Sequence, residues 1–144
     1  MSGAAFANTT LPVEAAPDIR RSLWEKFLLA ACLGTVAAAL DLPAGSVLSH
    51  KDGESLLRRA LAEVAAVASA RSVELAGADI QHVLDFVARF PPEATTSLQR
   101  DIAAGRTSEH EALGGAVLRL AAQHGIPHPT FLMLDKMIRQ RAPC

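Results

Sequence analysis

The run from Phe27 to Leu40 holds 14 residues without a charge, and it limits what this chain can become more than any other feature. Lys26 stands at its edge beside Glu25, and the next charge is Asp41. A bilayer-spanning helix needs roughly 20 apolar residues. The run falls short of that, so it reads as a buried core helix, apolar on nearly every side and central to the fold. A chain of 144 residues, half of them hydrophobic, is long enough to bury one core around such a helix.

The remaining segments supply amphipathic partners for it. Pro43 and Gly45 in DLPAGS interrupt the first helix. GESLLRRALAEVAAVASARSV predicts a second, with Leu56, Leu57, Leu61, Val64 and Ala68 on one stripe and Arg58, Arg59 and Glu63 mostly off it. ADIQHVLDFVARF predicts a third, with Ile80, Val83, Leu84 and Val87 on its apolar face. SLQRDIAAG predicts a short fourth closed by Gly105. SEHEALGGAVLRLAAQHG predicts a fifth, capped by Ser108, with Glu111 at its capping-box position and Gly125 at its end. HPTFLMLDKMIRQR predicts a sixth, opened by Pro129. No segment alternates as a strand does. The expected fold class is all-α, about six helices packed around a long apolar first helix.

Residues 1–17, with two prolines and several small or polar side chains, read as an extended arm or linker remnant, and residues 18–144 as the helical domain. Asp18 after Pro17, or Ser22 with Glu25 three residues on, suits the start of the first helix. The opening lacks the basic start and apolar stretch of a signal peptide. The net charge of -1 and 4% aromatics give no mark of a nucleic-acid binder. Cys32 and Cys144 make no disulfide framework. Cys32 reads as a small buried hydrophobe, and reduced thiols fit a cytoplasmic protein.

Chemistry-bearing residues are sparse. His124 and His128 are four apart, but Gly125 and Pro127 end the helix between them, and His50, His82 and His110 have no ligand spacing, so no metal is expected. The Gly114–Gly115 pair sits inside a helix and suits a close helix–helix contact better than a phosphate loop. Lys26 admits two readings. Its stem packs while its ammonium reaches water, or it sits in a cleft where desolvation lowers its pKa and fits it for proton donation. Ala30 and Gly34 follow at i+4 and i+8, a row of small residues that either leaves a hollow or lets another helix approach.

LWEKFLLAACLGTVAAAL and SLQRDIAAGRTSEHEALGGAVLRLAAQHGIPHP, in that order, resemble the C-terminal domain of the ketopantoate reductase (2-dehydropantoate 2-reductase) family, from about Pro17 to the end of the chain. The interval between Ser97 and Glu109 is the one the family pattern requires. The resemblance implies a helical domain like the C-terminal domain of 6-phosphogluconate dehydrogenase, with Lys26 as the catalytic residue and Ser97 and Glu109 binding substrate. It implies reduction of a 2-keto acid to a 2-hydroxy acid with NADPH, in pantothenate biosynthesis, by a cytoplasmic homodimer. All three residues are expected to converge on one cleft.

Two departures from the family pattern stand out. Ala30 and Gly34 occupy positions where the family carries asparagines facing substrate, which admits a bulkier or more apolar keto acid. The family's N-terminal Rossmann domain, with its glycine-rich dinucleotide turn, is absent from this chain, so NADPH is not expected to bind the chain alone. The alternatives are a stand-alone, non-catalytic helical assembly module of the same fold, or another member of the 2-hydroxy-acid or 3-hydroxy-acid dehydrogenases.

Overall fold

A helix spans Pro17–Leu40 (α1), and its two halves differ in burial. From Ala31 to Ala39 every residue is buried, whichever way its side chain points. From Arg20 to Ala30 only Leu28 is. Four helices close around the buried half: α2 (Gly53–Ala70), α4 (Ser97–Ala103), α6 (Gly114–His124) and α7 (Pro129–Arg141). Two further α-helices lie among the described residues, α3 (Gly77–Ala88) and the short α5 (Ser108–Ala112), with a 3-10 turn at Ala44–Ser46. The computed structural model describes residues 17–106 and 108–141, with the side chains of Pro17, Asp18 and Ser108 also outside the description. Among the described residues there is no strand, and the class is all-α. The window Ile19–Leu40 has the length and apolarity of a membrane span, yet its second half is enclosed by protein.

Small side chains make that enclosure work. Ala31, Ala37, Ala38 and Ala39 let neighbouring helices come close, and Leu28, Leu33 and Val36 fill the space between. The α2 stripe of Leu56, Leu57, Leu61, Val64 and Ala68 is buried as its spacing requires, as are Val83, Leu84 and Val87 of α3. Cys32 is fully buried, and that burial pushes its thiol pKa well up, leaving an inert hydrophobe. The arm expected over 1–17 falls outside the described residues apart from Pro17, which opens α1. Cys144 and the capping role expected of Ser108 also fall outside them.

One boundary differs from the sequence expectation. The helix expected over residues 108–124 is two helices, α5 and α6, parted at Leu113 (φ −105°, ψ −79°). The cause is the packing of Gly114. A Cβ there would lie 2.6 Å from Cε1 of the fully buried His110 and 3.3 Å from Oγ1 of Thr35 on α1. Gly114 is therefore a close contact with α1, as expected of the glycine pair, whereas the neighbours of Gly115 lie within its own segment, and the pair's low helix propensity lets the axis turn there.

The start of α7 is satisfied from another helix. Pro129 at its first position has no N–H to lose. The next two, Thr130 N–H and Phe131 N–H, donate to the two carboxylate oxygens of Glu63 on α2, at 2.8 and 3.0 Å. A negative charge at a helix N-terminus is favourable, and these bonds tie α2 to α7 across the core. Removing the carboxylate in Glu63→Ala is expected to cost about 1–3 kcal/mol in urea unfolding, with Glu63→Gln losing less because it keeps an acceptor.

A second clamp joins the exposed half of α1 to α3. Arg21 Nη2 meets both carboxylate oxygens of Asp79, at 2.6 and 2.7 Å, and Asp79 also accepts from Ala76 N–H at 2.7 Å. Burial alone would raise the Asp79 pKa. The Ala76 bond and the Arg21 guanidinium outweigh it and hold the carboxyl below the ordinary carboxylate range. A depressed folded-state pKa stabilises the protein above the unfolded value of about 3.9, and that stability is lost as pH falls through the folded pKa. Asp79→Asn is therefore expected to flatten the acid limb of a stability-against-pH curve in that window. An unchanged limb would show that the clamp carries no weight.

Candidate active site

Lys26 lies on the exposed half of α1, and its side chain is exposed. The first of the two sequence readings describes the bare chain better, because nothing here buries the ammonium. Two hollows flank it. One, of about 600 Å³, lies toward α3, where Glu25, Asp79, His82 and Phe86 share its lining with Lys26. The other, of about 570 Å³, lies toward α6. Leu23, Trp24, Phe27 and Ala30 form its α1 side, and Ala116 and Leu120 form its α6 side. Arg20, Lys26 and Arg71 supply its charges.

The row of small residues after Lys26 does both things the sequence allowed, at different positions. Ala30 is exposed and opens onto the α6-side hollow. Gly34 is buried, and a Cβ there would meet Leu98 Cδ2 of α4 at 3.3 Å. A larger side chain at position 30 would extend into that hollow. At position 34 it would push Leu98, and with it the start of α4.

Ser97 and Glu109 meet. Thr96 caps α4 by accepting Gln99 N–H on its hydroxyl at 3.0 Å, which leaves the Ser97 hydroxyl for another partner. Ser97 Oγ donates to Glu109 Oε2 at 2.9 Å. The chain reverses between them through Gly105 (φ 82°), where the Arg106 N–H closes onto the Asp101 carbonyl at 2.8 Å, and α5 is thereby laid beside α4. The second Glu109 oxygen, Oε1, is buried with no protein partner. A buried lone carboxylate oxygen is an acceptor in need of a donor.

The two residues after Glu109 hold α5 in place. His110 Nε2 is 2.7 Å from Asp135 Oδ1 on α7. Arg139, one turn further along α7, bonds both Asp135 oxygens at 3.0 Å and reaches Glu111 Oε2 at 2.6 Å. No role for His110 is legible from local spacing, since its partner is 25 residues away.

Two of the three site residues expected from the sequence are thus in direct contact. Lys26 stands apart from them: eight residues of helix, about 12 Å of axial rise, separate it from Gly34, where Leu98 packs. Neither hollow beside Lys26 is lined by Ser97 or Glu109. Among the described residues, no three His, Cys, Asp or Glu side chains group as a metal site would require.

Known proteins resemble the chain along almost its whole length. The model of the family described as ketopantoate reductase PanE/ApbA C terminal matches residues 18–142. The 2-dehydropantoate 2-reductase of Caulobacter vibrioides is 31% identical over 140 residues, an alignment covering 96% of this chain and 47% of that enzyme. That of Halobacterium salinarum is 29% identical over 136 residues, covering 94% and 45%. Among solved structures, a PanE/ApbA family ketopantoate reductase from Ralstonia eutropha superposes with a TM-score of 0.76 at 30% identity, over 96% of this chain and 46% of that one. A dimeric ketopantoate reductase from Staphylococcus aureus shares the fold, with a TM-score of 0.78 at 21% identity over 86% and 43%. The chain spans about half the length of the curated relatives it matches. On the extent of that match, it belongs to the ketopantoate reductase family and corresponds to the family's C-terminal domain.

Proposed function

We infer that this chain is the substrate-binding and dimerisation half of an oxidoreductase that reduces a 2-keto acid to a 2-hydroxy acid, in a cytoplasmic setting. The observation that carries the reading is the Ser97–Glu109 hydrogen bond. It joins two residues 12 apart in the very motif that distinguishes the family, and it leaves Glu109 Oε1 buried and waiting for a donor. A structural pair would satisfy both oxygens. A pair that receives a ligand keeps one in reserve.

The chemistry follows from what each group can do. As a ketone carbon is reduced, negative charge grows on its oxygen. The Lys26 ammonium stabilises that charge and gives up a proton to make the hydroxyl. Ser97 and Glu109 fix the polar end of the substrate, which spans the distance between them and Lys26. Closing that gap would also remove water from Lys26, whose ammonium is exposed in the chain alone. The reducing equivalent in this reading is the hydride of NADPH. Among the described residues no strand runs through a glycine turn into a helix, so they do not fit the pyrophosphate of a dinucleotide. Cofactor binding therefore falls to a separate Rossmann domain.

Joining the chain to the N-terminal half of a relative, by fusion or co-expression, tests this. Turnover of a 2-keto acid is expected to appear. Lys26→Ala should then lower kcat by about 10²–10⁴ while leaving cofactor affinity nearly unchanged. Ser97→Ala and Glu109→Gln should act mainly on KM. Full activity in the Lys26→Ala enzyme would contradict the mechanism.

A further inference from the structure

The first helix ends in a conformation that its own residue makes costly. Asp41 N–H closes onto the Ala38 carbonyl at 3.2 Å and Leu42 N–H onto the Ala37 carbonyl at 3.0 Å, the paired bonds that seal a helix C-terminus. Asp41 itself takes the left-handed conformation, with φ 56°. Glycine adopts it without strain and is the usual occupant of this position. The Asp41 carboxylate offsets little of that strain within the chain. It stands 4.0 Å from Arg141 Nη1 of α7, beyond hydrogen-bond distance, and both residues are exposed.

That carboxylate borders a hollow of about 260 Å³ between the end of α1, α4 and α7. Ala38, Ile102 and Ala103 give its apolar lining, and Asp41, Gln99 and Arg141 its polar one. Arg141 is fixed there by its other terminal nitrogen, since Nη2 donates to the Ala39 carbonyl at 3.0 Å. Gln99 Oε1 is buried and accepts no hydrogen bond from the described residues. A buried acceptor without a donor is costly, and a bound donor relieves it. The hollow thus sets two acceptors, the Asp41 carboxylate and the Gln99 amide oxygen, beside one cationic donor. A simple cation would be repelled by Arg141 and a simple anion by Asp41. A molecule carrying both charges meets each with its opposite. The volume lies below the range of about 300–1,000 Å³ for sites of drug-sized ligands, so that molecule is small.

We propose that this hollow binds a small zwitterionic amino acid, with its carboxylate on Arg141, its ammonium between Asp41 and Gln99 Oε1, and its short side chain against Ala38, Ile102 and Ala103. The site is separate from the Ser97–Glu109 pair. Gln99 follows Ser97 by two residues on α4, and residues so spaced on a helix do not face the same way. It is also independent of the role given to Lys26, which lies on the other half of α1.

Titrating the chain with L-alanine tests this, read at the Ile102 methyl and Gln99 side-chain amide signals in NMR spectra. Both are expected to move along one saturable curve. Propionate, which has the carboxylate without the ammonium, and ethylammonium, which has the reverse, should each bind about tenfold more weakly. Gln99→Met and Arg141→Met, read at Ile102, should each weaken L-alanine by a similar factor. Asp41→Gly should do so too while its thermal unfolding midpoint stays level or rises, because glycine suits the left-handed position better. Ser97→Ala should leave L-alanine binding unchanged. Equal binding of L-alanine and propionate would overturn the proposal, as would the lack of any saturable shift. Loss of binding in Ser97→Ala would assign the ligand to the Ser97–Glu109 pair and overturn it. A lowered midpoint in Asp41→Gly would show that the carboxylate serves the fold, and would overturn it as well.

Discussion

Everything in this fold depends on the burial of one half of one helix. Ala31 to Ala39 are enclosed on all sides by α2, α4, α6 and α7. Such enclosure is available only to a helix that is apolar all round and mostly small, because a ring of leucines would hold the neighbours apart. Burying that half commits the other to a fixed direction. Arg20 to Ala30 continue the same hydrogen-bonded rod out of the core, with Leu28 buried and Trp24, Phe27 and Leu29 packed only in part against it. Lys26 is tolerated in so apolar a helix because its own half is largely uncovered.

The Ser97–Glu109 contact is held by polar links between distant segments. Glu63 secures the start of α7, Asp135 and Arg139 of α7 hold His110 and Glu111, and Glu109, just before those two, meets Ser97. Each link is a charged or buried group with a named partner, and each passes position from the core helices to the short α5, which five residues alone could not hold. The Gly34–Leu98 contact sets the other edge, fixing the start of α4 against α1. An asparagine at position 30 would enter open space, whereas one at position 34 would disturb Leu98 beside Ser97.

Much of this was legible in the residues. The uncharged run gave the central helix, period and punctuation gave the stripes of α2 and α3 and the breaks at Gly105 and Gly125, and the resemblance gave Ser97 with Glu109. The break at Leu113 was not legible, because it follows from His110 lying over Gly114, and that depends on Asp135 in a later helix. Glu63 read as a residue off the apolar stripe, since the donors it satisfies are 67 and 68 residues away. The hollow lined by Trp24 and Leu120 needs α6 in place before it exists. Local pattern fixes which face of a helix is apolar. Which face meets which is decided by tertiary partners, and most of the polar site is of that kind.

The division of α1 into a buried anchor and a less covered half that carries Lys26 is the claim on which this account of the fold rests. Amide hydrogen exchange along that single helix tests it most directly. The account predicts that amides from Cys32 to Ala39 exchange only through global unfolding, with the same free energy as urea denaturation gives, while those from Leu23 to Phe27 exchange through cheaper local opening. Uniform protection along the whole of α1, or faster exchange in its alanine-rich half, would contradict it.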